Sequence, residues 1–171
     1  MTMLTQAEKR FLVGRSQTDP AYFWGSVLGC DTIYSKQLEM ARAVRDYNRV
    51  AVIGANGTGK DWQAARIMLW WQSVHHPAIT IVIGPTHRQV SDIVWKEARS
   101  AYLMARIGLG GQMYRTARWE LDDRHYAVGF ATNDEYNIQG FHSPNLLVII
   151  TEAHNVAQSH IDAVKRFNPS R

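Results

Sequence analysis

The stretch Val50-Ala-Val-Ile-Gly54-Ala-Asn-Gly-Thr-Gly-Lys60-Asp61 decides how the rest of this chain is read. Its first four residues are apolar and mostly branched, and a glycine closes them, which predicts a short buried parallel strand. Glycines at 54, 57 and 59 let the backbone turn closely without Cβ clashes, and Lys60 stands where a helix would begin. A G-x-x-x-x-G-K turn between strand and helix aims backbone N–H groups and the positive end of the helix dipole at one point. A polyphosphate suits that point. Gly54, Ala55, Asn56, Gly57, Thr58, Gly59, Lys60 and Asp61 are therefore expected to form a nucleotide cradle, with Lys60 reaching the β- and γ-phosphates.

Outward from this turn, strands and helices alternate. Trp62 to His76 has helical spacing (Ala65, Met68, Leu69, Gln72) and stops at Pro77. Ile79-Thr-Ile-Val-Ile83 repeats the strand signal, and Thr86-His-Arg-Gln89 is a capping box that opens a helix running toward Tyr102. Residues 106–118, with three glycines and three arginines, read as a loop. Two edge-like strands are expected next, the better of them His125-Tyr-Ala-Val-Gly-Phe130. Leu146-Leu-Val-Ile-Ile150 is the most apolar strand of all, and a last helix is expected over Ala157 to Phe167.

Upstream, Thr5-Gln-Ala-Glu8 reads as a capping box, and Asp19-Pro20 as an N-cap followed by a first-turn proline. The helix so begun closes at Gly29, and another spans Ser35 to Tyr47. Residues 1–48 are thus a helical segment leading into a core over 49–171. The alternation predicts an α/β fold whose central sheet is mainly parallel and covered by helices on both faces.

Composition limits the alternatives. The chain has 171 residues, 46% of them hydrophobic and 20% charged, enough for one domain with one core. No run of 18 or more apolar residues occurs, and residues 1–10 lack the apolar stretch of a signal peptide. The single cysteine excludes an internal disulfide and a cysteine-based zinc site. The seven histidines offer no zinc-ligand spacing, and the six tryptophans, Trp70-Trp71 among them, read as core packing. A net charge of +4 is compatible with a polyanionic partner.

A magnesium-assisted hydrolysis needs a hydroxyl directly after the lysine and an Asp-Glu pair at a strand end. Here position 61 is aspartate, and the strand ends in Thr151-Glu152. The two departures are reciprocal: the missing hydroxyl stands at Thr151 and the missing carboxylate at Asp61. The expectation is one Mg2+ shell with its two hard-oxygen ligands exchanged, Asp61 and Thr151, while Glu152 orients the attacking water. Its rival is that Asp61 repels the phosphates, so that nucleotide is bound poorly or without turnover.

Several segments together resemble the ATPase domain of viral large terminases, the tailed-bacteriophage motors that pump DNA into empty capsids. They are Gln37-Leu-Glu with Ala-Val-Arg-Asp, the Gly54–Asp61 loop with Ala-Ala-Arg and Leu-Trp-Trp, and Gly84-Pro-Thr-His-Arg-Gln-Val90. Ile138-Gln-Gly-Phe-His142 and Leu146-Leu-Val-Ile-Ile-Thr-Glu-Ala153 complete the set. The resemblance implies a P-loop NTPase of the RecA-like class that hydrolyses Mg-ATP to translocate double-stranded DNA into a procapsid. By the same resemblance Lys60 and Glu152 are catalytic, and Gln37 reads the adenine edge.

The implied partners are double-stranded DNA, other copies in a ring (a pentamer by family resemblance), a portal and a small terminase subunit, with no membrane. The implied location is the host cytoplasm, transiently at the procapsid. Family members stabilise phosphate charge with an arginine, for which Arg88, Arg115, Arg118 and Arg124 are candidates. The family's nuclease domain is absent from this sequence. Phe167-Asn-Pro-Ser-Arg171 falls about where another core strand is expected, which predicts a truncated sheet with an exposed edge. Thr151-Glu-Ala-His154 also echoes the Asp-Glu-Ala-His box of helicases, so a helicase-like ATPase is the second enzyme reading.

Overall fold

A computed structural model of the chain describes residues 13–55, 57–132 and 140–166. Its centre is a five-stranded sheet of β1 (Ile79–Gly84), β2 (Gln112–Met113), β3 (Arg118–Asp122), β4 (His125–Ala131) and β5 (Leu146–Ile150), ordered β2-β3-β4-β1-β5. β1 runs parallel to both β4 and β5. β3 runs antiparallel to both β2 and β4.

The fold is α/β as expected, but the sheet is mixed, where a mainly parallel one was expected. The turn at 123–124 explains the difference. A two-residue connection can join only antiparallel neighbours, because a parallel crossover needs a dozen residues or more. The turn is closed locally, the Arg124 N–H donating to Asp122 Oδ1 at 2.9 Å. β4 is also not an edge strand, since it lies between β3 and β1. The loop expected over 106–118 contains the two-residue strand β2.

β1 is buried along its whole length, so both faces of the sheet are covered. Ile79, Ile81 and Ile83 point to one face, where they cluster with Phe130 and pack against Phe141, Leu146, Val148, Ile150 and Val164. Val82 points to the other and joins the main core. That larger face is covered by α3 (Lys60–Val74) and α4 (Trp95–Met104), the latter entered through a π-helical turn over Gln89–Val94. The smaller face receives Val164 from α5 (Gln158–Lys165).

α3 is buried nearly all round, as a helix must be when it lies between a sheet and a second layer. That layer is α1 (Pro20–Tyr22), which continues as a π-helical stretch over Phe23–Val27, and α2 (Ser35–Asp46). Phe23, Trp24, Val27, Leu28 and Ala41 share one core with Ala65, Met68, Leu69 and Trp70. Trp24, Trp70, Trp95 and Trp119 are fully buried, in keeping with their reading as core. The Trp70 indole donates to Ser16 O at 2.7 Å.

The N-cap at Asp19 and the stop at Gly29 hold, and of the Thr86 capping box the bond to the Gln89 N–H is made, while the Gln89 side-chain amide reaches Asp61. Asp19 accepts from the Ala21 N–H at 3.0 Å, Gly29 takes a positive φ of 77°, and Thr86 Oγ1 accepts from the Gln89 N–H at 3.2 Å. The capping box at Thr5 and the helix end at Phe167 lie outside the described residues.

A further expectation fails. Residues 50–53 form no strand, and Val50, Val52 and Ile53 are exposed, Ile53 fully. A strand needs a neighbour whose backbone groups pair with its own. β5 is paired with β1 on one side only, and 50–53 does not occupy the other. Arg49 instead donates to Lys165 O at the end of α5, at 2.9 Å.

Candidate functional site

The turn before α3 is built as its glycines require. Gly57 and Gly59 have φ of 77° and 78°, and Gly59 is the N-cap of α3 without any side-chain cap. Only glycine takes that left-handed backbone at little cost. Thr58 Oγ1 donates to Ala55 O at 2.9 Å, and Lys60 Nζ donates to Gly54 O at 3.0 Å and Ala55 O at 2.8 Å. The ammonium thus folds back over the first carbonyls of its own loop. Asn56 lies outside the described residues.

Gln37 reaches this loop from α2. Its Oε1 accepts from the Tyr34 N–H at 3.0 Å, which orients the amide, and its Nε2 lies 3.6 Å from where a Cβ on Gly59 would stand. A buried helix residue is therefore carried to the glycine turn.

Asp61, in the first turn of α3, is contacted by Gln89 and lies within reach of the charges of Glu152 and Glu97. The Gln89 amide donates toward both carboxylate oxygens, at 3.4 and 3.5 Å. Burial pushes the Asp61 carboxyl above the usual aspartate range, the nearby charge of Glu152 pushes it further, and the Gln89 contact and Lys60 pull against them. Gln89 was absent from the expected site. Its signals in the sequence are its place as last residue of the Thr86-His-Arg-Gln89 cap and within the Gly84–Val90 segment.

Glu152 follows β5 with φ 49° and ψ 47°, the only non-glycine residue with positive φ among the described residues. Such a backbone costs of order 1–3 kcal/mol and persists where surroundings impose it. His154 Nδ1 lies 3.6 Å from Glu152 Oε2. The neighbouring Thr151 is buried; its N–H donates to Ile83 O at 2.9 Å and its hydroxyl to the same carbonyl at 3.4 Å. A Cβ on Gly84 would lie 3.2 Å from Thr151 Oγ1 and 3.5 Å from Gln89 Cβ. Gly84 thus lets the two strand ends and the Gln89 turn close on one another.

The expected residues Lys60, Asp61 and Glu152 gather at the C-terminal ends of β1 and β5, with Gln37 on the far side of the turn. Chemically, the Asp61 carboxylate and the Thr151 hydroxyl are hard-oxygen groups of the kind a divalent cation takes, and the glycine turn beside them offers N–H groups to an anion.

Of the four candidate arginines, Arg88 is exposed and adjoins Gln89. Arg118 is engaged on β3, with Glu120 at 2.8 Å and the Tyr126 ring at 4.8 Å. Arg124 lies at the opposite rim, in the turn before β4, and Arg115 is exposed, its carbonyl held by Arg99 at 2.9 Å. Among the described residues no helix is long and apolar enough to cross a membrane. No family model and no curated protein matches this chain.

Proposed function

We propose that this chain is a P-loop ATPase domain that binds Mg-ATP in the Gly54–Asp61 turn and hydrolyses it. The observation that supports this most is that Asp61, directly after the phosphate lysine, is held by Gln89 at 3.4 and 3.5 Å, while Gln89 and Thr151 both close on Gly84 at the end of β1. The charge of Glu152 adds to the burial that holds the Asp61 carboxyl above its usual range, and a magnesium ion is the partner that would offset both. On this reading Lys60 leaves the Gly54 and Ala55 carbonyls for the phosphates. Asp61 and the Thr151 hydroxyl share the Mg2+ shell, Glu152 orients the water, and Gln37 reads the base.

The larger setting follows from the terminase resemblance: a motor ring, a pentamer by that resemblance, that drives double-stranded DNA into a procapsid docked in the host cytoplasm, with portal and small-subunit partners. Arg88 is the arginine best placed to serve a phosphate. The exposed apolar residues of 50–53 do not support the strand that usually precedes such a turn, so the reading rests on the turn and the strand end together.

A specific observation favours a second reading. With Asp61 beside the turn, its negative charge opposes that of phosphate, which describes a nucleotide-binding module without turnover. A helicase-like ATPase, the other alternative, differs in its track rather than in this site.

The test is binding and hydrolysis of ATP with Mg2+, with and without double-stranded DNA, for the unaltered chain, Lys60→Ala and Glu152→Gln. The expected result is that Lys60→Ala loses nucleotide binding, while Glu152→Gln binds and loses turnover by about 10²–10⁴-fold, the range for removing a group that manages a proton. ATP binding without turnover under every condition selects the second reading. Binding that survives Lys60→Ala unchanged rejects both.

A further inference from the structure

At the opposite rim of the sheet, three side chains from two distant stretches of the chain converge. His76 precedes β1, while Asp122 and His125 flank the tight turn between β3 and β4. One ligand atom from each, two ring nitrogens and a carboxylate oxygen, all lie within 4.8 Å of one another. His76 Nδ1 and His125 Nδ1 are 2.8 Å apart. We propose that His76, Asp122 and His125 form a binding site for a divalent transition ion of the Zn2+ class.

The hydrogen bonds already prepare His125 as a ligand. Its Nε2 lies 2.8 Å from the Gln72 carbonyl, which can only accept, so the proton sits on Nε2 and the Nδ1 lone pair faces His76. A ring nitrogen fixed through its far side by a carbonyl is the usual outer support of a metal-bound histidine. The support is itself rigid. Gln72 is fully buried in α3, and its side-chain amide donates to Thr80 Oγ1 at 2.9 Å and to Tyr126 O at 2.8 Å. His125 is therefore the fixed ligand, buried at the start of β4.

The other two ligands are exposed and adjustable. Two imidazole nitrogens at 2.8 Å need a proton between them. A cation that replaces this proton asks for more room: with Zn–N near 2.0–2.1 Å, tetrahedral geometry sets the nitrogens roughly 3.3 Å apart. His76, on the surface, supplies that half-ångström by a small side-chain rotation. Asp122 Oδ1 is occupied by the Arg124 N–H, which leaves Oδ2 for the metal. The exposed side admits water as a fourth ligand.

Two imidazoles and one carboxylate select Zn2+, Co2+, Ni2+ or Cu2+ over Mg2+ or Ca2+, which prefer an all-oxygen shell. The ion would tie the α3–β1 connection to the β3–β4 turn. Sequence spacing conceals this, because only Asp122 and His125 are neighbours along the chain. The site lies at the rim away from Asp61 and Glu152, so it stands or falls independently of the ATPase reading.

The test uses the tag-free chain, freed of metal with EDTA, and ZnCl2 titration at pH 7.5 followed by calorimetry and thermal melting. The expected result is one Zn2+ per chain with a rise in Tm, since an ion bound only by the folded state stabilises it by mass action. His76→Gln and Asp122→Asn, both surface changes, should each fold normally and weaken Zn2+ binding at least tenfold. Co2+ should give the intense visible absorption of a tetrahedral site in the unaltered chain and lose it in His76→Gln. Absence of saturable Zn2+ binding, or binding that persists unchanged in His76→Gln and Asp122→Asn, overturns the proposal, the latter by pointing to other histidines such as His154.

Discussion

The carboxylate of Glu152, at the end of β5, raises the proton affinity of Asp61, in the first turn of α3, and is second only to burial in doing so. Neither residue reveals this alone. The sheet brings the end of β5 near enough to the start of α3 for the charge of Glu152 to be felt at Asp61.

The pair makes stability depend on pH. Because the folded Asp61 carboxyl lies above its ordinary value of 3.8, the folded state holds the proton more tightly than the unfolded one. Its favourable contribution is complete below pH 3.8 and is lost as pH rises through the folded value. Asp61→Asn should therefore raise Tm at pH 7. Water screens a partly exposed site, which keeps the gain at or below about 1 kcal/mol, or roughly 2–4 °C in a chain of this size. Thermal melts from pH 3 to 8 should show the gain fading toward the acid end. A variant less stable than the unaltered chain at pH 7 contradicts the repulsion.

Gly129 in β4 faces a wall. A Cβ there would lie 2.5 Å from Val90 Cγ1, 2.8 Å from Trp95 Cζ3 and 3.2 Å from Ala117 Cβ. Gly129→Ala overpacks this contact between the sheet and the Gln89–Val94 turn and should cost about 1–3 kcal/mol in denaturant unfolding. A neutral effect would mean that the turn yields, and Gln89 with it.

Ile53 is fully exposed. Ile53→Asn should then change stability by no more than about 0.5 kcal/mol, as ordinary surface substitutions do. A buried strand residue would instead lose about 2 kcal/mol or more, so the same melt separates the packing seen here from the one the apolar run suggests.

Sequence by itself determined the local elements. Asp19-Pro20, Thr86 and Gly29 set helix ends through bonds and backbone angles made within a few residues. Ile79 to Ile83 and Leu146 to Ile150 are strands because branched apolar residues bounded by polar or glycine turns have little else to become. The glycine turn with Lys60 was legible for the same reason: its chemistry is contiguous. Tertiary structure decided everything that needed a neighbour. It put β4 inside the sheet rather than at its edge and left 50–53 exposed despite its strand-like composition. It also set Gln89 and Glu152 against Asp61, and His76 against His125. Apolar patterning states that a segment must bury a face, but pairing partners and convergent side chains depend on which distant backbone lies alongside.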